Sequence, residues 1–467
     1  MLMSAPTTNG NDSRISLWLR VREFAVPPSM IETATTRRCA GDWAGACAAA
    51  GFDVDIDLRS LARTRGRELA ARVRADLRRL APDLLRWHMP RIAPDGLLRP
   101  GLTMSLLRYG PDISGSPSSS MDSVHLVVRT APAWADGGQR IGLALWDESR
   151  PGSGPHPHPR PDPRFRLDLH RHLWDADQVG ELRIRSGAEQ FTHDDGVDPA
   201  VRERAPRGCA IDRWAAEAEI LLRAQGRPVG PLLVRYGARR RMVLELSSHG
   251  DDPPVLRIAE RYPPAEVSAL PMLPHAATWT MPDLELIRAG AISADRLHPL
   301  VASALVPGHT PDAVPGDADR ASGEYPVDCR GEWHRIGLVD GVLTALDHSP
   351  AEIRREELLV ALTGTPAPCL RAIDQAHRHP DCLAGVRERL GHGDVAGALA
   401  VVESLLGPDA SLRDGALRDE LESAARRRIT YGLFRAGLTT PGPDSTHAPR
   451  RPRRAHPRRA MRTTPTR

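Results

Sequence analysis

Two histidines and an aspartate alternate with apolar residues in the stretch FRLDLHRHLWD, which begins at Phe165. Side chains on a β-strand alternate between its two faces, so a strand here would place Asp168, His170 and His172 on one face. Carboxylate and imidazole groups are common ligands of zinc and related metals. The spacing predicts candidate metal ligands and, with further ligands from a second element, a metal-dependent hydrolase or nuclease.

The same stretch also fits a strand with no chemical role. Leu167, Leu169 and Leu173 would form its buried face and leave the polar residues to water. The chain contains no GxSxG, GxGxxG, HExxH or GxxxxGK[ST] string, so the usual local signatures of hydrolase, dinucleotide and nucleotide sites are missing. All 63 basic residues are arginine, which excludes a Walker A lysine and a Schiff-base lysine. These observations favour a protein without a catalytic centre, and no cofactor is predicted.

The six cysteines form neither a CxxC pair nor the dense spacing of a secreted disulfide framework. Cys329 and His334 fall within one predicted hairpin, and Cys369, His377 and Cys382 lie on neighbouring helical segments. Neither spacing matches a usual pair of zinc ligands. We therefore expect reduced, mostly buried thiols and a cytoplasmic location.

Basic charge is concentrated at the C-terminus. Residues 450–467 contain eight of the 63 basic residues and no acid, and the rest of the chain has a small excess of acidic residues. An arginine-rich segment of this kind can bind RNA, DNA or another polyanion by counterion release. It contains no aromatic residue that would stack on bases. The candidate nucleic-acid-binding residues are Arg450, Arg451, Arg453, Arg454, Arg458 and Arg459.

Periodicity predicts an α+β fold, with helical N-terminal and C-terminal parts flanking a mainly antiparallel, β-rich middle domain. ISLWLRVREF (15–24), VHLVVRT, RIGLALWD, FRLDLHRHLWD and ELRIRS have the alternation of strands. RELAARVRADLRRLAPDLLRW (67–87) and DRWAAEAEILLRAQG (212–226) have the spacing of amphipathic helices. CRGEWHRIGLVDGVLTALD (329–347) fits a hairpin that turns at Asp340-Gly341, followed by a capping box at Ser349 and Glu352.

A chain of 467 residues exceeds the usual size of a single core. Composition divides it into a disordered N-terminus (1–13), a mainly helical domain (14–112), a Ser-rich linker (113–123), an α+β domain (124–306), a second linker (307–326), a hairpin plus helical domain (327–438) and a disordered Arg-rich tail (439–467).

One phrase occurs twice, as GDWAGACAAAG from Gly41 and as GDVAGALAVVE from Gly393. The glycine suits the left-handed residue that ends a helix, and Asp42 suits the N-cap of the next helix. We expect a hinge between two helices at each copy. The copies are too far apart in sequence for a tandem solenoid.

The segments CRGEWHRI, RREELLVALTG and GHGDVAGALAVVESLLG together resemble the region that precedes ankyrin repeats in a group of actinobacterial proteins. The resemblance covers roughly residues 328–410 and implies an association with MoxR-type AAA ATPases. It also implies a regulatory or adaptor role.

The function predicted from the sequence is that of a cytosolic adaptor or regulator, which acts through contacts with a protein partner. A MoxR-type ATPase is the candidate partner, and no membrane association is expected. The alternatives are the metal-dependent hydrolase or nuclease at Asp168, His170 and His172, and a nucleic-acid-associated factor that binds through the arginine-rich tail.

Overall fold

The computed structural model of the chain has an α+β fold with mainly antiparallel sheets, so the predicted fold class is confirmed. No helix in the part of the chain that the structure describes is long and apolar enough to cross a membrane. The structure describes residues 9–110, 123–135, 137–149, 156–189, 196–237, 240–248, 254–259, 262–263, 266–309, 325–329, 331–339, 342–363, 368–371, 383–406 and 414–438.

The first sheet has the strand order β1-β6-β5-β4. Strand β1 pairs parallel to β6, and the other pairs are antiparallel. The predicted strands VHLVVRT and RIGLALWD are confirmed as β5 and β6, where Val128 pairs with Leu143. The strands are β1 (Phe52–Asp55), β2 (Arg91–Ile92), β3 (Leu97–Leu98), β4 (Thr103–Tyr109), β5 (Val124–Thr130) and β6 (Ile141–Asp147), with β2 and β3 forming a separate hairpin.

Helices before and after this sheet cover it and share one hydrophobic core with it. Val73 and Leu84 from the early helices are fully buried in this core together with Leu126 of β5 and Val301 from a much later helix. The predicted helix over 67–87 is two helices, because Pro82 begins the second. The helices are α1 (Asn9–Phe24), α2 (Pro28–Cys39), α3 (Trp43–Ala49), α4 (Leu58–Arg65), α5 (Arg67–Arg79), α6 (Pro82–His88), α7 (Leu182–Ser186), α11 (Pro282–Arg288) and α12 (Pro299–Leu305).

A second core lies between a three-stranded antiparallel sheet and the helix predicted over 212–226, which is confirmed. Trp214 and Leu222 of this helix pack with Leu244 of the central strand. The elements are β7 (Gly230–Arg235), β8 (Arg241–Ser247), β9 (Val255–Ile258), α8 (Pro199–Arg204), α9 (Ile211–Arg223) and α10 (His275–Thr278).

In the described residues of the C-terminal part, there are another three-stranded sheet and four helices of ten or more residues. Val339 pairs with Val342 across the predicted hairpin, while Asp340 and Gly341 lie outside the described residues. The capping box is confirmed, because Ser349 N donates to Glu352 at 2.8 Å and Glu352 N donates to the Ser349 hydroxyl at 3.3 Å. The elements are β10 (Tyr325–Cys329), β11 (Glu332–Val339), β12 (Val342–Ala345), α13 (Pro350–Thr363) and helices Leu383–His392, Val395–Leu406 and Ala416–Arg435.

The predicted strand over 15–24 is wrong, because this segment lies in helix α1. The alternation of apolar and polar residues predicts a strand only if Arg22 is exposed to water. The Arg22 side chain is only 2% exposed and forms an ion pair with Asp283. A helical face that includes Arg22 is therefore buried, which period-two patterning cannot indicate.

The predicted strands FRLDLHRHLWD and ELRIRS are also wrong. The first forms two 3₁₀ turns, Leu167–Leu169 and Arg171–Leu173, and the second contributes to helix α7. His170 and His172 are at least as buried as Leu167 and Leu173, so these two histidines do not lie on a solvent-exposed polar face. Trp174 Nε1 donates to the carbonyl of Leu167 at 2.9 Å and holds the turns closed.

The repeated phrase forms the same hinge twice, as predicted. Gly41 and Gly393 have φ of 77° and 88°, a left-handed conformation that favours glycine. Asp42 Oδ1 accepts from the amide of Gly45 at 2.8 Å, and Asp394 Oδ1 accepts from that of Gly397 at 2.9 Å. In each copy a Cβ on the second glycine would lie 2.1 Å from the capping carboxylate. The pattern G-D-x-x-G therefore has a steric basis at both sites.

Several predictions concern residues that the structure does not describe or test. The arginine-rich tail, residues 1–8, and most of the two linkers lie outside the described residues. The domain boundaries remain predictions.

Candidate functional site

A cavity of about 360 Å³ lies between two groups of elements. Helix α1, the C-terminal end of α6 and residues 164–173 line one side of it. The start of α9 and the segment from α10 to α11 line the other. Both cores contribute to its wall. Leu167 and Leu173 belong to the first core, and Ala277 belongs to the second. The volume falls within the range that encloses a small organic ligand.

Positive charge dominates the wall of this cavity. Eight arginines and four histidines line it, and no aspartate or glutamate is among its lining residues. These residues are Arg14, Arg22, Arg91, Arg99, Arg164, Arg166, Arg185, Arg213, His88, His170, His172 and His275.

Carboxylates behind the wall hold five of the eight arginines in place. Asp283 accepts from Arg22 Nε and Nη2 at 2.7 and 2.8 Å. Glu217 accepts from Arg185 in the same bidentate way, at 2.6 and 2.8 Å. The remaining pairs are Arg14–Glu285, Arg164–Asp162 and Arg166–Asp168.

The other three arginines, Arg91, Arg99 and Arg213, have no carboxylate within ion-pair distance among the described residues. Arg91 donates to the carbonyls of Arg86 and Gly96, and its Nε has no partner. Burial lowers the pKa of Arg91, and the charge of Arg86 lowers it further. Buried Nε of Arg213 also lacks a partner. An anion in the cavity would supply the acceptors and the negative charge that these side chains lack.

His88 presents a hydrogen-bond acceptor in the same wall. Its Nδ1 lies 2.9 Å from the carbonyl oxygen of Leu173, so Nδ1 must carry the proton and Nε2 is the unprotonated atom. That Nε2 is buried and has no hydrogen-bond partner among the residues that the structure describes. Burial lowers the pKa of His88 to about 4, so the ring is neutral near pH 7. His88 therefore offers an acceptor for a hydroxyl or amine of a bound molecule.

His172 and His275 are also neutral in the folded protein. Burial lowers the pKa of His172, and the neighbouring His170 ring lowers it further. Burial lowers the pKa of His275 to about 4, with Arg99 as the next cause. Nδ1 of His172 is buried without a hydrogen-bond partner. Burial thus keeps these imidazoles neutral in the same wall as Arg91, Arg99 and Arg213.

Asp168, His170 and His172 are not among the described side chains whose ligand atoms converge within 4.8 Å of one another, and a metal site there stays a prediction. The Asp168 carboxylate accepts from Arg166 at 2.6 to 3.0 Å and is not part of the cavity wall. His170 Nδ1 lies 3.0 Å from the Arg166 carbonyl, and its Nε2 lies 3.2 Å from Glu217 Oε2. His170 and His172 line the cavity side by side, with ring centroids 5.7 Å apart.

Aromatic rings complete the wall. Trp18, Trp87, Trp279 and Phe165 line the cavity. The Arg22 guanidinium lies 4.3 Å from the Trp87 ring centroid, and Trp87 Nε1 donates to Asp283 at 3.1 Å. The cavity therefore combines apolar surface with fixed positive charge.

Sequence reasoning identified His170 and His172 but missed the arginines, His88 and His275. These side chains come from segments between Arg14 and Met281, and no local spacing marks them. The alternating run Arg164-Phe165-Arg166 was the nearest available signal. No family model, curated protein or solved structure matches this chain.

Proposed function

We propose that the protein binds an anionic small molecule in the cavity between its first two cores. The ligand carries a phosphate or carboxylate group and an apolar or aromatic portion. The observation that carries this proposal is a wall with eight arginines and no carboxylate, in which Arg91, Arg99 and Arg213 have no acidic partner in the part of the chain that the structure describes.

The fixed ion pairs support recognition of an anion. Arg22 and Arg185 are held rigidly by buried carboxylates, so they contribute to the shape of the wall without reorganisation. Arg99 and Arg213 are free to donate to the ligand. A guanidinium donates two parallel hydrogen bonds to a phosphate or carboxylate, which favours these groups over a simple halide.

The composition of the wall favours binding over catalysis. Among the lining residues there is no thiol, amine or carboxylate, and the hydroxyl groups are those of Ser186 and Thr280. Ser186 Oγ donates to the carbonyl of Arg183 at 3.2 Å. No activated nucleophile is built into this wall, so the proposal names a ligand and no reaction.

The adaptor role expected from the sequence can depend on this ligand, if ligand binding controls how the protein contacts its partner. Arg14 of α1 and Arg213 of α9 line one cavity but belong to elements that pack on different cores. A ligand that contacts both would stabilise one arrangement of the two cores. We propose a ligand-controlled regulator whose protein partner recognises that arrangement.

A thermal-shift screen with matched ligand pairs tests the proposal. Each pair has a charged member and a neutral counterpart, such as a nucleoside monophosphate with its nucleoside, or a dicarboxylate with its diamide. We expect at least one anionic member to raise Tm in a concentration-dependent way while its neutral counterpart does not. Equal shifts for both members, or no shift with any anion, would contradict the proposal.

A further inference from the structure

Two cysteines and two histidines converge beside the third sheet. Cys329 ends strand β10, His334 lies on β11, His348 follows β12, and Cys369 lies in the short helical segment 368–371. Their ligand atoms all lie within 4.8 Å of one another. The sequence marks Cys329, His334 and Cys369 only as separate candidates without zinc-ligand spacing. The antiparallel pairing of three strands is what brings Cys329, His334 and His348 together.

Two of the distances within the group are close to those between ligands around one zinc ion. Cys329 Sγ lies 3.8 Å from His348 Nε2, and His334 Nδ1 lies 3.0 Å from the same Nε2. Tetrahedral zinc with ordinary Zn–S and Zn–N bond lengths places such ligand atoms about 3.3 to 3.8 Å apart. Small side-chain adjustments would therefore complete the tetrahedron.

The surroundings orient the ligands as a metal site requires. Nε2 of His334 lies 3.6 Å from Glu332 Oε2, so a carboxylate faces the ring nitrogen that would not bind the ion. The two thiols are buried in a small core with Ile336 and Ala345. His334 Nδ1 and His348 Nε2 face each other at 3.0 Å, and an ion between the four groups would bind both nitrogens together with the two sulfur atoms.

We propose that Cys329, His334, His348 and Cys369 bind one zinc ion. Two thiolates and two imidazoles in tetrahedral arrangement are the donor set that zinc prefers. All four positions are filled by the protein, which leaves none for water or substrate. The site is therefore structural and not catalytic.

The ion would fasten the sheet β10–β12 to the segment that follows α13. The core beside this sheet is small, with four buried residues among those that the structure describes, so apolar burial alone contributes little there. Zinc binding displaces the two thiol protons and couples the order of this region to the metal. This inference is independent of the cavity and of its ligand.

Metal analysis of the full chain tests the site. We expect about one zinc per chain after dialysis against metal-free buffer. The variants Cys329→Ser and His348→Gln should lose most of this zinc. The matched controls Cys39→Ser, at an exposed thiol, and His309→Gln, outside the group, should retain it.

A second measurement needs no variant and so does not depend on folding of the mutants. In the wild-type protein, two thiols should resist alkylation until a chelator is added, and cobalt(II) in place of zinc should give thiolate-to-metal absorption. Absence of retained zinc, full zinc in both ligand variants, or a Cys329–Cys369 disulfide in the protein as purified would overturn the proposal.

Discussion

The guanidinium of Arg86 donates a 2.8 Å hydrogen bond to the carbonyl oxygen of His392, although 306 positions separate the two residues. The same side chain donates to the carbonyls of Ala25 at 3.0 Å and Gln139 at 2.7 Å. Arg86 is 1% exposed. A single buried guanidinium thus joins the early helices to the hinge at Gly393 near the other end of the described chain.

Replacing Arg86 with alanine should destabilise the protein strongly. The substitution leaves at least three buried carbonyls without a donor, and each unsatisfied group costs about 1–3 kcal/mol. We expect the free energy of unfolding in urea to fall by at least about 3 kcal/mol. Arg78→Ala, on the exposed face of α5, is the control and should cost little. A loss below about 1 kcal/mol for Arg86→Ala would show that these contacts do not stabilise the fold.

The two hinges should respond alike to loss of their caps. Asp42→Ala and Asp394→Ala each remove an acceptor from a helix N-terminus, which costs about 0.5–2 kcal/mol. The asparagine variants keep that acceptor and should lose much less stability. Equilibrium unfolding of the four variants measures this difference. If the alanine and asparagine variants lose the same free energy of unfolding, the capping hydrogen bond contributes nothing to stability.

Acid should destabilise the protein through buried histidines such as His392. Burial lowers the pKa of His392 to about 3, with the charges of Arg91 and Arg86 as further causes. The unfolded chain takes up this proton as pH falls through about 6.5, whereas the folded protein does not. The contribution to stability is therefore present above pH 6.5 and is lost as pH falls toward 3.

His392→Phe isolates this effect, because the His392 ring is buried and stacks on Phe24. Between about pH 7 and pH 5 the variant should lose roughly 1–2 kcal/mol less stability than the wild type. Urea titrations at several pH values provide the comparison. A pH profile identical to that of the wild type would rule out His392 as a contributor.

Ligand binding should change the intrinsic tryptophan fluorescence. Trp18, Trp87 and Trp279 line the cavity, so a bound molecule changes the surroundings of three of the nine tryptophans. Trp279→Phe should reduce the amplitude of the signal, and Trp333→Phe, at a ring that is 73% exposed on β11, should leave it unchanged. A fluorescence titration with the anion found by thermal shift checks both variants. If a ligand raises Tm but leaves the tryptophan fluorescence unchanged, that ligand binds outside the cavity.

Much of the fold could be predicted where local patterning and burial agree. Strands β5 and β6, helix α9, both hinges and the capping box at Ser349 follow from β-branched runs, amphipathic spacing and cap residues. The wrong strand predictions lie where charged or polar side chains are buried. Arg22 faces Asp283 inside the protein, and such a partner 261 positions away leaves no local signal.

The candidate sites could be predicted only in fragments. The sequence predicts His170 and His172 as candidate metal ligands on a strand. In the structure, two 3₁₀ turns place both rings in the cavity wall. The sequence pattern picks out Cys329, His334 and Cys369 but not His348, which sheet pairing and the turn after β12 bring beside Cys329 and His334. Both sites form by tertiary convergence, which neither periodicity nor motif spacing encodes.

The proposal that the cavity binds an anion is tested most directly by the affinity of the Arg213→Gln variant for the anion identified by thermal shift. Arg223→Gln is the matched control, because Arg223 lies on the same helix and its side chain is 69% exposed outside the cavity. Loss of a hydrogen bond to a charged group costs about 1.5–3 kcal/mol, so calorimetry should give at least about tenfold weaker binding for Arg213→Gln. The Arg223→Gln affinity should equal that of the wild type. Equal affinities for all three proteins would contradict anion binding in this cavity.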